Sequence, residues 1–293
     1  MEKTTQNITE IFNSLSEELL NRSKSVRKDF CLPSTEEIYK LMPLLTHLLF
    51  PRYYYESADT KSCMSSSISN KLEKAYVILC NEINKALEYE AEGKSEDLKE
   101  LAEEKTIQFL KALPNIRDTL DKDLEEVLNH DPAAKNAEEV ILAYPGYEAL
   151  SVYRLSHYLY TLGVPFIPRI MSEKIHSTTG IDIHPGAQIG AYCSIDHGTG
   201  LIIGETTIIG EHVNLYHNVT LGARSVTPEF RGIKRHPTIG NNVIIYPGAT
   251  VLGDIEVGDN TLIGGNVFLL NSCPANSKLY AIPPEVITKK KEN

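Results

Sequence analysis

The stretch from residue 238 to residue 269 reads TIGNNVIIYPGATVLGDIEVGDNTLIGGNVFL, and an aliphatic residue recurs at every sixth position. These residues are Ile239, Ile245, Val251, Val257, Ile263 and Leu269. A period of six matches neither the period of a helix, about 3.6, nor the alternation of an ordinary strand. It is typical of a parallel β-helix, in which each repeat supplies a short strand and a tight turn with the aliphatic side chain pointing inward. Because no repeat can bury its apolar residue alone, the repeats must stack continuously.

The same repeat extends upstream and is interrupted twice. Its earlier members are Ile183, Ile189, Ile195, Ile203, Ile209, Leu215 and Leu221. The step from Ile195 to Ile203 is eight residues rather than six, and it contains the motif DHGTG at 196–200. Residues 223–237 (ARSVTPEFRGIKRHP) are rich in polar and breaker residues, which predicts a loop extruded from the stack. Functional side chains gather at such interruptions, so both regions are candidate sites.

The N-terminal half of the chain has a helical pattern instead. Apolar residues stand three and four apart, as in LEKAYVILCNEI at 72–83, which predicts amphipathic helices. Ser34, followed by a threonine, two glutamates and an apolar run, predicts a helix start. Pro114 and Pro132 are interpreted as breaks between helices.

These two patterns predict the fold class and the domain organisation. We expect an α+β chain with an α-helical domain over residues 1–179 and a parallel β-helix of hexapeptide repeats over residues 180–282. Residues 283–293 are predicted to form a C-terminal tail. A chain of 293 residues is long enough for two such domains.

Composition argues against several classes of partner. The 29 Lys and Arg against 39 Asp and Glu give a net charge of −10, and no basic stripe interleaved with aromatics occurs, so neither nucleic acid nor a membrane surface is expected. The apolar run at 41–50 is too short to span a bilayer, and the polar N-terminus does not resemble a signal peptide. The five cysteines form no CxxC pair, which favours a reducing compartment. We therefore expect a cytoplasmic protein.

Several motifs in this order carry a family resemblance. They are DIHP at 182–185, DHGTG at 196–200, GET at 204–206, VTLG at 219–222 and RHP at 235–237. With them the chain resembles the serine O-acetyltransferases, a family of hexapeptide-repeat acyltransferases, in its form with a longer helical N-terminal region. The likeness extends to HDPAA at 130–134 and YRLSH at 153–157. It implies a left-handed β-helix that transfers acetyl from acetyl-CoA to the hydroxyl of L-serine, giving O-acetyl-L-serine for cysteine biosynthesis.

The chemistry explains the residue types that the resemblance singles out. A serine hydroxyl is a poor nucleophile at neutral pH, so a general base must take its proton, and histidine has a suitable pKa. A carboxylate on the other ring nitrogen would orient that histidine. The resemblance implies His197 as the base with Asp182 as the orienting carboxylate, and substrate binding by Asp131, Asp196, Arg235 and His236. Arginine suits a bidentate grip on the substrate carboxylate.

The resemblance also implies how acetyl-CoA is bound. In the family the pantetheine arm lies along the coils and is held largely by backbone groups. Small residues allow that close approach, and the expected contacts are Gly222, Ala223, Gly248, Ala249 and Gly265. Acetyl-CoA is thus a co-substrate, and neither a tightly bound cofactor nor a metal is expected.

Partners follow from the same resemblance. Relatives form homotrimers with sites between subunits, and the helical half often pairs two trimers, so a trimer or a dimer of trimers is expected. L-cysteine, an isostere of serine and the end product of the pathway, is expected to compete at the serine site. Many relatives bind O-acetylserine sulfhydrylase through a terminal isoleucine, whereas this chain ends in Asn293, so that complex is not expected.

The sequence is also compatible with three other functions. His212 and His217 have the five-residue offset found in the γ-class carbonic anhydrases, which are zinc-dependent β-helices. Another hexapeptide acetyltransferase could act on a sugar or an antibiotic hydroxyl. An inactive β-helix scaffold is the third alternative, although such a protein has no need of the Asp-His pair.

Overall fold

The computed structural model describes residues 11–19, 31–54, 61–92, 97–225, 227, 229 and 232–282. The predicted C-terminal tail, residues 283–293, lies outside the described residues. Within them, a layer of helices precedes a parallel β-solenoid, which confirms the predicted fold class.

The helical layer is built from long elements. Residues 11–19 are helical, and they are followed by α1 (Thr35–Leu49), α2 (Lys61–Ala91), α3 (Leu98–His130), α4 (Ala137–Ala143), α5 (Pro145–Thr161) and α6 (Ile167–Thr179). The Ser34 side chain accepts a hydrogen bond from the Glu37 backbone N–H at 3.3 Å, so the predicted helix start is confirmed. No helix in the described part of the chain is both long enough and apolar enough to cross a membrane.

Helix α3 runs unbroken past Pro114, so the expectation that this proline separates two helices is wrong. A proline inside a helix costs about 3 kcal/mol. The residues on either side offset that cost, because each large apolar side chain contributes roughly 1.5–3 kcal/mol when it is buried. Those buried in α3 around the proline include Phe109, Leu113, Ile116 and Leu120. Pro132, by contrast, lies just past the end of α3.

The solenoid consists of short parallel strands in three sheets. The strands are β1 (Asp182–Ile183), β2 (Gln188–Ile189), β3 (Cys193–Asp196), β4 (Ile202–Ile203), β5 (Ile208–Ile209), β6 (Val213–Tyr216), β7 (Thr220–Gly222), β8 (Thr238–Ile239), β9 (Ile244–Ile245), β10 (Thr250–Leu252), β11 (Glu256–Val257), β12 (Leu262–Ile263), β13 (Phe268–Leu269) and β14 (Lys278–Leu279). The first sheet has the order β1-β4-β7-β10-β13, the second β2-β5-β8-β11, and the third β3-β6-β9-β12-β14. Every member of the six-residue repeat is buried except Leu269, which is partly buried.

The motif DHGTG lengthens the first coil. Asp182 pairs with Ile202, twenty residues later, whereas Ile202 pairs with Thr220, eighteen residues later. The extra residues widen the corner between β3 and β4, where His197 has a φ of +57° and the next glycine a φ of +77°. The interruption seen in the sequence is therefore a wider corner that presents a histidine at its start.

A buried ion pair joins the helices to this first coil. The Arg154 guanidinium on α5 donates to both carboxylate oxygens of Asp123 on α3, each at 3.0 Å. Arg154 also donates to the Gly190 carbonyl at 2.6 Å, and the Cys193 backbone N–H donates to Asp123 at 2.9 Å. At Gly146, at the start of α5, a Cβ would lie 2.1 Å from the Ile195 carbonyl oxygen, so only glycine permits this approach. The helices are thereby held against the strand that leads to DHGTG.

Candidate active site

His197 occupies an exposed position at the corner between β3 and β4. Its side chain is 74% exposed, and its Nε2 lies 3.6 Å from an Asp196 carboxylate oxygen. One coil further along, the ring of His217 lies edge to face with it, with 5.8 Å between the ring centroids. An exposed imidazole beside a carboxylate can receive a proton from a substrate hydroxyl.

A small cleft lies between the end of α3 and the third sheet. Its lining comprises Val127, His130, Asp131, Tyr144, Ser194, Ile195, Asp196, Asn214, Leu215 and Tyr216. The structure thus brings together Asp131 and Asp196, two of the predicted substrate-binding residues, from distant parts of the chain. Their two carboxylates make the cleft acidic, and Asp196 immediately precedes His197 in the chain.

Asp131 is held in place where α3 ends. One carboxylate oxygen accepts from the Ala133 backbone N–H at 2.8 Å. The other accepts from the Tyr144 hydroxyl at 2.9 Å. Burial, together with this hydrogen bond to Asp131, raises the pKa of Tyr144 to about 12, so the phenol stays protonated and remains a donor.

Sequence reasoning missed part of the cleft lining, in particular Tyr144, Ser194, Asn214 and Tyr216. The last three could have been found from the sequence. Outward-facing residues of β3 stack on those of β6, one coil later, so the neighbours of Asp196 follow from the register of the repeat. Ser194 pairs with Asn214, and Asp196 with Tyr216. Tyr144 gives no such signal, because its contact depends on how the helices dock.

Arg235 and His236 lie at a different corner, near the end of the segment predicted as a loop and just before β8. The Arg235 guanidinium pairs with the carboxylate of Glu205, in the corner between β4 and β5. The backbone N–H groups of Arg235 and His236 both donate to the Thr206 hydroxyl, at 3.0 and 3.1 Å. The motifs GET and RHP therefore meet in space.

Hydrogen bonding assigns the tautomer of His236. The Thr206 backbone N–H donates to its Nδ1 at 3.1 Å, so Nδ1 is unprotonated and the ring proton is on Nε2. His236 is buried, and burial, assisted by the neighbouring Arg235 charge, lowers its pKa to about 4. It is thus a neutral hydrogen-bond donor at physiological pH.

We expect His236 to make the fold less stable in mild acid. In the unfolded chain the pKa of histidine is about 6.5, so between that pH and about 4 the unfolded state binds more protons than the folded one. The contribution of neutral His236 to the free energy of unfolding is fully present above pH 6.5 and is lost as the pH falls toward 4. Denaturant titrations from pH 7.5 to 5 should show a shallower loss of unfolding free energy for His236→Gln than for wild type. Parallel slopes would contradict this assignment.

Asp182 lies on the outward face of the first sheet, at the start of β1. Among the described residues, the ion pairs and hydrogen bonds do not join Asp182 to His197 within the chain. The other predicted catalytic and substrate-binding residues of one chain thus fall into two groups. The cleft group is Asp131, Asp196 and His197, and the loop group is Arg235 and His236.

The residues predicted to contact acetyl-CoA occupy both ends of the strands of the first sheet. Gly222 ends β7 next to Ala223, and a Cβ at Gly222 would lie 2.8 Å from a Leu252 methyl. At the opposite end, Gly248 has a φ of +75° before the buried Ala249. A Cβ at Gly265, in the following coil, would lie 3.2 Å from the Pro247 carbonyl oxygen. Their role in binding stays a prediction.

The two histidines of the zinc alternative lie at opposite ends of β6. The Nδ1 atom of His212 contacts the buried Glu126 carboxylate at 2.9 Å. His217 is at the other corner, beside His197. The described residues contain no group of three or more His, Cys, Asp or Glu side chains placed to hold a metal ion.

Comparison with known proteins agrees with this fold. Residues 43–152 match the family model "Serine acetyltransferase, N-terminal", and residues 236–271 match "Bacterial transferase hexapeptide (six repeats)". A plasmid-encoded serine acetyltransferase of Synechococcus elongatus is 42% identical over 257 residues, which cover 84% of this chain and 81% of the relative. The serine acetyltransferase of Helicobacter pylori strain J99 is 51% identical over 166 residues, 57% of this chain and 95% of the relative.

A solved structure covers nearly the whole chain. The crystal structure of serine acetyltransferase isoform 3 from Entamoeba histolytica in complex with cysteine matches with a TM-score of 0.75 and 32% identity, over 94% of both chains. The fold and the repeats define a hexapeptide-repeat transferase. Within that class, the chain belongs to the serine acetyltransferase family.

Proposed function

We propose that this protein transfers acetyl from acetyl-CoA to the hydroxyl of L-serine, giving O-acetyl-L-serine for cysteine biosynthesis. The observation that carries the proposal is the acidic cleft of Asp131 and Asp196 beside the exposed imidazole of His197. The carboxylates suit an amino-acid ammonium, and the imidazole suits a hydroxyl that must lose its proton. Family membership supports the same assignment.

The reaction needs one base and no covalent enzyme intermediate. His197 takes the serine hydroxyl proton as the oxygen attacks the thioester carbonyl carbon of acetyl-CoA. When the resulting tetrahedral adduct collapses, the carbon–sulfur bond breaks and the CoA sulfur leaves with the proton returned by the imidazolium. Holding both substrates together supplies much of the remaining rate enhancement. We assign the thioester's path to the small residues at the two ends of the strands in the first sheet, Gly222 and Ala223 at one end and Gly248, Ala249 and Gly265 at the other.

We also propose that the complete site forms between subunits of a trimer, alone or paired with a second trimer. Within one chain the cleft group and the loop group belong to different corners of the solenoid. A three-fold axis brings one face of a subunit against a different face of the next. His197 of one subunit would then meet Asp182, Arg235 and His236 of its neighbour. Arg235 would bind the substrate carboxylate there, and the Nε2–H of His236 would donate to it.

L-cysteine is proposed to compete with serine in the same cleft. It differs from serine only by sulfur in place of the hydroxyl oxygen, so it presents the same ammonium and carboxylate. The related Entamoeba structure contains cysteine. A cytoplasmic location is proposed because the five cysteines are scattered along the chain and form no CxxC pair.

The test is a thiol-release assay with acetyl-CoA and a panel of acceptors. We expect CoA release with L-serine far above that with water, a neutral sugar or an aminoglycoside, and O-acetyl-L-serine as the product by mass spectrometry. Release that is no faster with serine than with a sugar would refute the proposed function. Excess cysteine should raise the apparent KM for serine.

A further inference from the structure

A buried polar network lies behind the cleft, between α3 and the first two coils. Its centre is the carboxylate of Glu126, which is 2% exposed. Asn214 donates its side-chain N–H to this carboxylate at 3.0 Å, and the Ser194 hydroxyl contacts the Asn214 side-chain oxygen. Ser194 and Asn214 both line the cleft, whereas Glu126 lies behind them. None of the three belongs to the motifs that suggested the function.

Side-chain nitrogen atoms surround the Glu126 carboxylate. One oxygen is 2.9 Å from the Nδ1 of His212, and the other is 3.2 Å from the Nδ1 of His130. The same His130 nitrogen lies 3.1 Å from the Glu126 backbone carbonyl, which can only accept, so this nitrogen carries a proton. The Glu126 oxygen that contacts His130 is also the one that accepts from Asn214, so it accepts from two N–H groups.

This carboxylate fixes the direction of every hydrogen bond between itself and the cleft. Because Glu126 only accepts, Asn214 must turn its NH2 group toward it and its oxygen toward Ser194. An amide oxygen also only accepts, so the Ser194 hydroxyl must donate its single proton to Asn214. The Ser194 oxygen is left with lone pairs and no proton to give to a ligand in the cleft.

We propose that the Ser194 oxygen is a third acceptor, beside Asp131 and Asp196, for the ammonium group of the amino-acid substrate. Asn214 and Glu126 are positioning residues that keep this oxygen an acceptor. The inference rests on the proposed function. It adds a reason why the site prefers acceptor substrates that carry an α-ammonium group. An ammonium has three N–H donors, so a substrate without it leaves the acceptors of the cleft unpaired.

The central experiment compares wild type and Ser194→Ala with two acceptors, L-serine and its des-amino analogue 3-hydroxypropanoate. We expect the variant to raise the KM for serine about tenfold, the loss typical of one hydrogen bond to a charged group. The kcat with serine and the KM for acetyl-CoA should stay within about twofold. The preference for serine over the analogue, as a ratio of kcat/KM values, should fall about tenfold because the analogue never made this contact.

Ser151→Ala is the matched control. Ser151 is also a buried serine, and its hydroxyl donates to the Tyr147 carbonyl at 2.8 Å, outside the cleft lining. It should lose similar thermal stability and keep the wild-type KM and acceptor preference. An unchanged KM for serine in Ser194→Ala overturns the inference, as does an equal loss with both acceptors. The wild-type assay alone tests the proposed function, which fails if wild type does not acetylate serine. The comparison of the variants tests the role of Ser194.

The positioning role has its own test in two substitutions of Glu126. Glu126→Ala removes the acceptor that orients Asn214, so Ser194 can turn its proton into the cleft, and the KM for serine should rise while kcat changes little. Glu126→Gln keeps an oxygen that accepts from Asn214, so it should restore most of the serine affinity. Equal KM values in the two variants, or a fall in kcat alone, would show that Glu126 does not act through Ser194.

Discussion

Replacing His197 with alanine is expected to lower kcat for acetyl transfer to serine by about 10²- to 10⁴-fold, the usual contribution of a positioned general base. The side chain is exposed, so its removal should leave the melting temperature nearly unchanged. Serine affinity, measured by calorimetry, should also persist because Asp131 and Asp196 remain in place. The measurement is steady-state CoA release over a range of serine concentrations.

His176→Ala is the control for this substitution. His176 is likewise an exposed histidine next to a carboxylate, Glu173, but it lies on α6 and outside the cleft lining. We expect wild-type kinetics from this variant. A His197→Ala enzyme that keeps more than about a tenth of the wild-type kcat would exclude His197 as the general base.

Mixing two inactive chains should restore activity if the site is shared between subunits. We expect His197→Ala and Arg235→Ala trimers to be nearly inactive on their own. In co-expressed mixed trimers, about a third of the sites would combine an intact His197 with an intact Arg235 from the neighbouring subunit. Differently tagged chains allow the mixed trimers to be purified and assayed.

The control pair for the mixing experiment is His197→Ala with Asp196→Ala. Both residues belong to the cleft group of one chain, so no mixed trimer contains a complete cleft and activity should not recover. No recovery with His197→Ala and Arg235→Ala would place the whole site in a single subunit. Recovery with the control pair would show that His197 and Asp196 act from different subunits.

The solenoid was predictable because each aliphatic residue of the repeat is constrained by its neighbours one coil away. A single shift in phase at DHGTG was enough to locate the widened corner, since the coil there must absorb two more residues. The continuation of α3 past Pro114 was not predictable from local preference. Burial against other helices outweighs the cost of the proline, and that burial depends on residues distant in the sequence.

The candidate site was also only partly predictable from the sequence. The motifs suggested His197, Asp196 and Asp131. The structure places Asp131 and Asp196 in one cleft, and His197 follows Asp196 in the chain. Tyr144 could not be predicted because its contact with Asp131 depends on how the helices dock, and Glu126 could not because it meets Asn214 only when α3 docks on the third sheet. Ser194 and Asn214 could have been found from their pairing one coil apart. The catalytic role of His197 is tested by its replacement with alanine, and the contacts with acetyl-CoA remain predictions.

The buried pair of Asp123 and Arg154 has a consequence for the order in which the chain folds. Its hydrogen bonds reach the Gly190 carbonyl and the Cys193 N–H, so the first coil is completed only against α3 and α5. Those helices leave the ribosome first and can serve as a template on which the solenoid starts to wind. A circular permutant that is translated from residue 180 onward would reverse this order. We expect it to refold more slowly and to aggregate more readily, although every native contact is still encoded.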